Sequence, residues 1–205
     1  NRSLMKYIVV LTDGMSDEPI EEFDGKTPVM IANTPVMDEI VRKSATGLVH
    51  TVPKGFHPGS EIANMNILGY HPAKYFQGRG VIEAASLGLD FEPDELVFRC
   101  NLVSLKNEIL INHSADHITS SEAAVLIDAL NKELGNDRIR FHAGTSYRHV
   151  LVIKGGNSDI KCTPPHDHPG KPAAPLLPVA NSPEAEETAQ ILRSLIEKSQ
   201  ELLAK

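Results

Sequence analysis

An unbroken apolar run, Tyr7-Ile8-Val9-Val10-Leu11-Thr12, stops abruptly at Asp13-Gly14 and frames the reading of all that follows. Runs without polar alternation belong to strands covered on both faces, as in parallel sheets. Thr34-Pro35 then reads as a helix start, with threonine as cap and proline at the first helical position. Val36, Met37, Ile40 and Val41 mark its inward face. Gly47 closes that region, and Leu48-Val49-His50-Thr51-Val52 reads as a second strand. Strand, helix, strand implies a right-handed parallel crossover and an α/β class. Asp13, at the C-terminal end of the first strand, stands where open α/β sheets hold ligands. It is equally suited to cap the following turn.

The second strand leads through a loop into Pro58-Gly59-Ser60-Glu61-Ile62-Ala63-Asn64-Met65-Asn66-Ile67-Leu68-Gly69-Tyr70, a tight turn opening into a short helix. Ile62, Met65 and Leu68 recur on one face, and Gly69 supplies the stop. Ser60 is either a plain cap or a hydroxyl held among unpaired N–H groups at the positive end of the helix dipole. The second environment favours an anion. If the two strands are parallel, Asp13 and Ser60 share one sheet edge. That is the layout of a metal-activated nucleophile: a divalent cation held by Asp13 would bind the Ser60 oxygen and help it ionise. Other routes to activation are missing. Ser60 lies in no Gly-x-Ser-x-Gly elbow. Gly25-Lys26-Thr27 is no phosphate-binding P-loop, because Ile20 stands where that motif needs a glycine.

Composition narrows the partners. The chain has 205 residues, 41% hydrophobic, enough for one large domain or two small ones with cores. A net charge of −7, with no basic run, argues against nucleic acid. No apolar run is long enough to span a membrane, and no signal peptide is visible. Cys100 and Cys162 lack disulfide or metal spacing, which fits a reducing, cytoplasmic setting.

The second half reads as a separate α+β unit over 74–178. Strands are expected at 96–105 and 108–112 around a turn at Lys106-Asn107, and again at 138–142 and 149–154. Thr119-Ser120-Ser121-Glu122 is a capping box. It opens a helix with Ala123, Leu126, Ile127, Leu130 and Leu134 inward and Gly135 as its stop. Arg79, Arg99, Arg148 and His149 are the candidate ligands for an anionic substrate, since a guanidinium fork fits carboxylate and phosphate. Arg99 and Arg148 interrupt apolar strands, which demands a partner; the alternative to a ligand is a salt bridge to an acid such as Glu83. Gly78-Arg79-Gly80-Val81-Ile82-Glu83 is a poor dinucleotide fingerprint, with Glu83 in place of the third glycine. His113 and His117 lie in a loop ahead of the capping box, where substrate contact or solvent exposure is favoured over zinc. His166-Asp167-His168 sits in a proline-rich stretch read as a hinge. Ser182-Pro183 starts an amphipathic helix assigned, with the rest of 179–205, to a return into the first unit.

Several motifs together carry a family resemblance. Leu11-Thr12-Asp13-Gly14-Met15, Gly25-Lys26-Thr27-Pro28, Ala32-Asn33-Thr34-Pro35-Val36-Met37-Asp38 and Pro58-Gly59-Ser60-Glu61-Ile62-Ala63 closely resemble the archaeal-type cofactor-independent phosphoglycerate mutases of the alkaline phosphatase superfamily. The likeness continues through Gly78-Arg79-Gly80, Phe98-Arg99-Cys100-Asn101-Leu102-Val103 and Ser146-Tyr147-Arg148-His149. It implies interconversion of 3-phosphoglycerate and 2-phosphoglycerate through a phosphoserine, with two divalent metal ions. By that likeness Asp13 is a metal ligand, and Ser60 is both the phosphoryl acceptor and a metal contact. It also implies a fold: residues 1–73 as the first part of an alkaline-phosphatase-like parallel core, 74–178 as an inserted substrate-gripping domain, 179–205 as the returning helix. The family's remaining metal ligands would follow Lys205, so the chain is expected to be about half of such an enzyme and inactive alone. The expected substrate is a small phosphorylated carboxylate, gripped by Arg79, Arg99, Arg148, His149 and His117. Two alternatives stand beside this reading: another metal-dependent phosphatase or phosphotransferase of the superfamily, and a non-catalytic binding domain.

Overall fold

The computed structural model describes residues 5–204; the outermost positions of the regions 1–73 and 179–205 lie outside the described residues. The chain divides between Phe76 and Gln77 into two units, a few positions beyond the boundary at 73 expected from sequence.

The first unit is helical and loop-rich. Its helices are α1 (Pro28–Ile31), α2 (Pro35–Arg42), α3 (Ser60–Ile67) and α4 (Pro72–Tyr75). Proline at the start of α1, α2 and α4 uses its fixed φ where no helical N–H bond is lost. The parallel sheet read from the apolar runs is not present among the described residues. Residues 7–12 and 48–52 form no strand, and Tyr7 and Ile8 are 86% and 85% exposed. The face of α2 expected to be inward is open as well, with Val36, Ile40 and Val41 exposed. The physical reason is pairing. An apolar run becomes a strand only when neighbouring backbone takes its N–H and C=O groups. No described segment does so here.

The second unit is better packed. Helix α5 (Arg79–Ser86) precedes β1 (Glu95–Asn101), β2 (Ser104–Lys106) and β3 (Ile109–Asn112). Helix α6 (Ser120–Leu134), β4 (Ile139–His142), β5 (Arg148–Lys154), β6 (Ile160–Lys161), β7 (Val179–Ala180) and α7 (Glu186–Leu203) follow. The main sheet is antiparallel with order β1-β5-β4, and β2-β3 and β6-β7 form two small antiparallel pairs. Asn107 and Glu108 take left-handed φ values of 50° and 61° to turn β2 into β3.

The sheet's two faces have different covers, because alternate residues of a strand point to opposite sides. On one face Leu151 and Ile153 of β5 pack with Ala123, Ile127 and Leu130 of α6 and with Leu192 and Leu195 of α7. Helix α7, assigned from sequence to the first unit's core, is therefore part of the second unit's core. On the other face Val150 and Val152 meet Ala84 of α5. The box that starts α6 is complete: the Thr119 hydroxyl accepts from the Glu122 N–H, and the Glu122 carboxylate accepts from the Thr119 N–H.

Candidate functional site

In the first unit Asp13 and Ser60 meet. The Ser60 hydroxyl donates to Asp13 Oδ2 at 2.7 Å, across 47 positions of sequence. Local geometry presents each group. Met15 N–H donates to the Thr12 carbonyl, closing a turn in which Gly14 takes φ 78°. A positive φ at the third position of such a turn suits glycine, and it leaves Asp13 at the corner. Gly59, in extended backbone, precedes α3, and Ser60 is the helix's first residue. The Asn66 amide donates to the carbonyls of His50 and Thr51, fastening α3 to the second apolar run. The convergence expected from a shared sheet edge is thus present, but turns and this amide tether produce it. One carboxylate and one hydroxyl are two hard oxygens, suited to part of the shell of a divalent ion. Among the described residues no group of three or more His, Cys, Asp or Glu side chains could hold a metal.

In the second unit the face under α5 gathers three arginines. Arg99 of β1 and Arg148 of β5 lie on that face, since Arg99 pairs with Val150 and Arg148 pairs with Asn101. Arg79 opens α5. Gly80 brings the helix down on the strand: a Cβ there would meet the Val97 carbonyl oxygen at 2.5 Å and the Arg99 nitrogen at 2.9 Å. Burial, then the positive charge of Arg79, pull the Arg99 pKa below the usual guanidinium range. Glu83 offsets part of this, with Oε1 3.5 Å from Arg99 Nε. The salt bridge posed as an alternative for Arg99 is therefore present. Arg99 Nε, Arg148 Nε and Asn101 Oδ1 are buried without a hydrogen-bond partner. Orphaned polar atoms of this kind are uncommon, and His149 Nε2, on the other face of the sheet, is another.

The two histidines stand apart from the arginines. His149 is on the opposite face of β5, 1% exposed, with Nδ1 accepting from the Gly144 N–H. Burial lowers its pKa to about 4, so the ring is neutral. His117 is exposed, in a left-handed turn formed with Ala115 and Asp116. Sequence reasoning missed Tyr147. Its ring lies 5.8 Å from the Arg148 guanidinium carbon and 6.0 Å from the His113 ring. His113 in turn sits edge-on to His166 at 6.4 Å. The histidine segments were visible in the sequence; their meeting was not. The stretch read as a hinge is tied down by backbone bonds from Gly170 and Ala173 to the carbonyls of Leu110 and Glu108.

A family model for 2,3-bisphosphoglycerate-independent phosphoglycerate mutase matches residues 41–205. This chain belongs to that family. Among curated relatives, the phosphoglycerate mutase of Methanosarcina acetivorans is 48% identical over 177 residues, covering 85% of this chain and 44% of the relative. Mutase 2 of Methanothermobacter thermautotrophicus is 45% identical over 198 residues, 93% of this chain and 48% of its own length. The cofactor-independent phosphoglycerate mutase structure from Thermoplasma acidophilum superposes with a TM-score of 0.56 at 25% identity, over 94% of this chain and 51% of that one. The chain thus spans about half the length of the mutases it matches. No helix among the described residues is long and apolar enough to cross a membrane.

Proposed function

We propose that this chain carries the phosphoryl-accepting serine and the anion-gripping surface of a phosphoglycerate mutase. The observation that carries the reading is the 2.7 Å hydrogen bond from the Ser60 hydroxyl to Asp13. A mutase that uses no bisphosphate cofactor must hold the phosphoryl group on the protein, and a serine beside a carboxylate is suited to that. Ser60 Oγ forms the new bond to phosphorus as the bond from phosphorus to the glycerate oxygen breaks. Asp13 takes the hydroxyl proton, and that proton passes through solvent to the leaving glycerate oxygen. In the return step the other glycerate hydroxyl takes the phosphoryl group. Within the second unit, Arg148, Arg79 and Arg99 are suited to carboxylate and phosphate oxygens, with Arg99 balanced by Glu83.

Two divalent ions are implied by the resemblance. Asp13 and Ser60 fit part of one ion's shell, and a bound ion would lower the hydroxyl pKa and neutralise phosphoryl charge. The exposed runs at 7–12 and 48–52 are read as strands of a parallel phosphatase-like core that forms in a longer protein. Their exposure and the half-length match to relatives support that reading.

The test is Ser60→Ala in the longer mutase. Interconversion of 3-phosphoglycerate and 2-phosphoglycerate should be abolished. The fold should persist, since the Ser60 hydroxyl makes no cap hydrogen bond to the helix. Labelled phosphate should be trapped on the wild-type serine after acid quench. Near wild-type turnover in Ser60→Ala would overturn the assignment.

A further inference from the structure

The arginine face carries one group the proposed function has not used. Asn101 is the last residue of β1 and stands directly across from Arg148 of β5. Two positions earlier on the same strand face is Arg99. Directly opposed residues of antiparallel strands have side chains within ~5.5 Å of each other at Cβ. Three polar atoms of this patch are buried without hydrogen bonds: Nε of Arg99, Nε of Arg148 and Oδ1 of Asn101. Two of these are donors and one is an acceptor.

The chemistry separates them. A guanidinium only donates, so Arg79, Arg99 and Arg148 can hold any oxyanion and cannot read a hydroxyl's proton. Glu83, an acid of the patch, faces Arg99. Asn101 Oδ1 is an acceptor set among donors, and a ligand O–H is the group that answers it. We infer that Asn101 is a specificity-determining residue of the anion site, accepting a hydrogen bond from a hydroxyl on the bound acid. It selects hydroxylated phosphocarboxylates over analogues that present the same charges without the hydroxyl. This inference rests on the anion-gripping role given above to the arginines. Selection of this kind is strong because an analogue without the hydroxyl leaves the buried acceptor unpaired.

The test uses the 205-residue chain and NMR titration of the arginine Nε–H signals with three probes: 3-phosphoglycerate, 3-phosphopropionate and inorganic phosphate. 3-Phosphopropionate keeps both anionic groups and lacks the hydroxyl. Wild-type chain should bind 3-phosphoglycerate at least about tenfold more tightly than 3-phosphopropionate. Asn101→Ala and Asn101→Val should bring 3-phosphoglycerate down to the level of 3-phosphopropionate and leave the latter within about twofold of wild type. Because they remove an orphaned polar atom, the variants should melt at or above the wild-type temperature. Equal wild-type affinity for the two acids, or an equal loss of both in the variants together with a lower melting temperature, would overturn the inference and make Asn101 structural. In either case phosphate binding that Arg148→Ala removes leaves the arginine site standing. If the wild-type chain binds none of the three probes, the arginine reading and the Asn101 inference fall together.

Discussion

Arg99 and Arg148 share a sheet face but should answer substitution differently. The Arg99 side chain is 17% exposed and faces the partly buried Glu83. Removing it leaves that carboxylate without its counter-ion, so Arg99→Ala should destabilise by about 1–3 kcal/mol. Urea unfolding measures this, and Glu83→Gln in the same background should restore part of the loss. Arg148 stacks beside Tyr147 and has no carboxylate partner among the described ion pairs. Arg148→Lys keeps the charge and loses the fork. In the longer mutase it should cut kcat/KM tenfold or more with the melting temperature within about 2 °C. An equal fall in stability and activity would show a structural role instead. His149 supplies a pH test. Its folded pKa, about 4, lies below the ordinary value of 6.5 because the ring is buried. As pH falls through 6.5 the unfolded chain binds the proton first, so stability drains between pH 6.5 and 4 and is full above that window. His149→Gln should flatten the dependence of urea midpoint on pH across that range.

At the scale of elements, the pieces that carry Arg79 and Arg99 are fixed by close approach. Helix α5 can lie on β1 only because residue 80 has no Cβ. Gly80→Ala must push the helix away from strand backbone, which cannot give as a side chain end can. A cost of about 1–3 kcal/mol is expected. Binding of inorganic phosphate should weaken in parallel, because Arg79 moves with the helix. If phosphate affinity is unchanged while stability falls, Arg79 is no part of the site. The same reasoning explains Gly78-Arg79-Gly80, which resembles a dinucleotide fingerprint only in outline: its second glycine serves helix-on-strand packing. The loop before β5 is fixed differently. Ser146 takes φ 54°, its N–H donates to the Ser120 hydroxyl and its own hydroxyl donates to the Ile118 carbonyl. These bonds tie the start of α6 to the residue pair Tyr147-Arg148.

At the scale of the whole molecule, the two units differ in how much apolar surface they cover. The second buries contiguous clusters on both sheet faces. The first leaves Tyr7, Ile8, Val9, Val10, Leu48 and Val49 exposed. A patch of that kind marks an interaction surface or an aggregation hazard. The 205-residue chain should therefore self-associate with rising concentration in sedimentation velocity, and limited proteolysis should cut before Gln77 well ahead of the second unit. It should also show no mutase turnover and at most weak calorimetric binding of manganese, magnesium or zinc. Two tightly bound ions per chain would mean that Asp13 and Ser60 have partners the donor set does not reveal.

Local elements were legible because their signals are local. The capping box at Thr119, the helix stop at Gly135, the turn at Asn107 and the start of α2 at Pro35 all sit where residue chemistry puts them, since each depends on neighbours a few positions away. Ser60 at the start of a helix and Asp13 beside a turn glycine were legible for the same reason. Apolar runs told that residues 7–12 and 48–52 want cover, but not what provides it; a strand depends on a partner's backbone, and periodicity carries no information about the partner. The faces of β5 were beyond reach as well. Arg148 and His149 are adjacent in sequence and read as one site, yet the sheet turns them to opposite sides and makes one a cation beside Tyr147 and the other a neutral core residue. What joined Tyr147 to His113 and His166, and Arg99 to Glu83, was packing between segments far apart in the chain. Side-chain chemistry was set by the sequence; which side chains face one another was decided by pairing and burial, which only the folded chain determines.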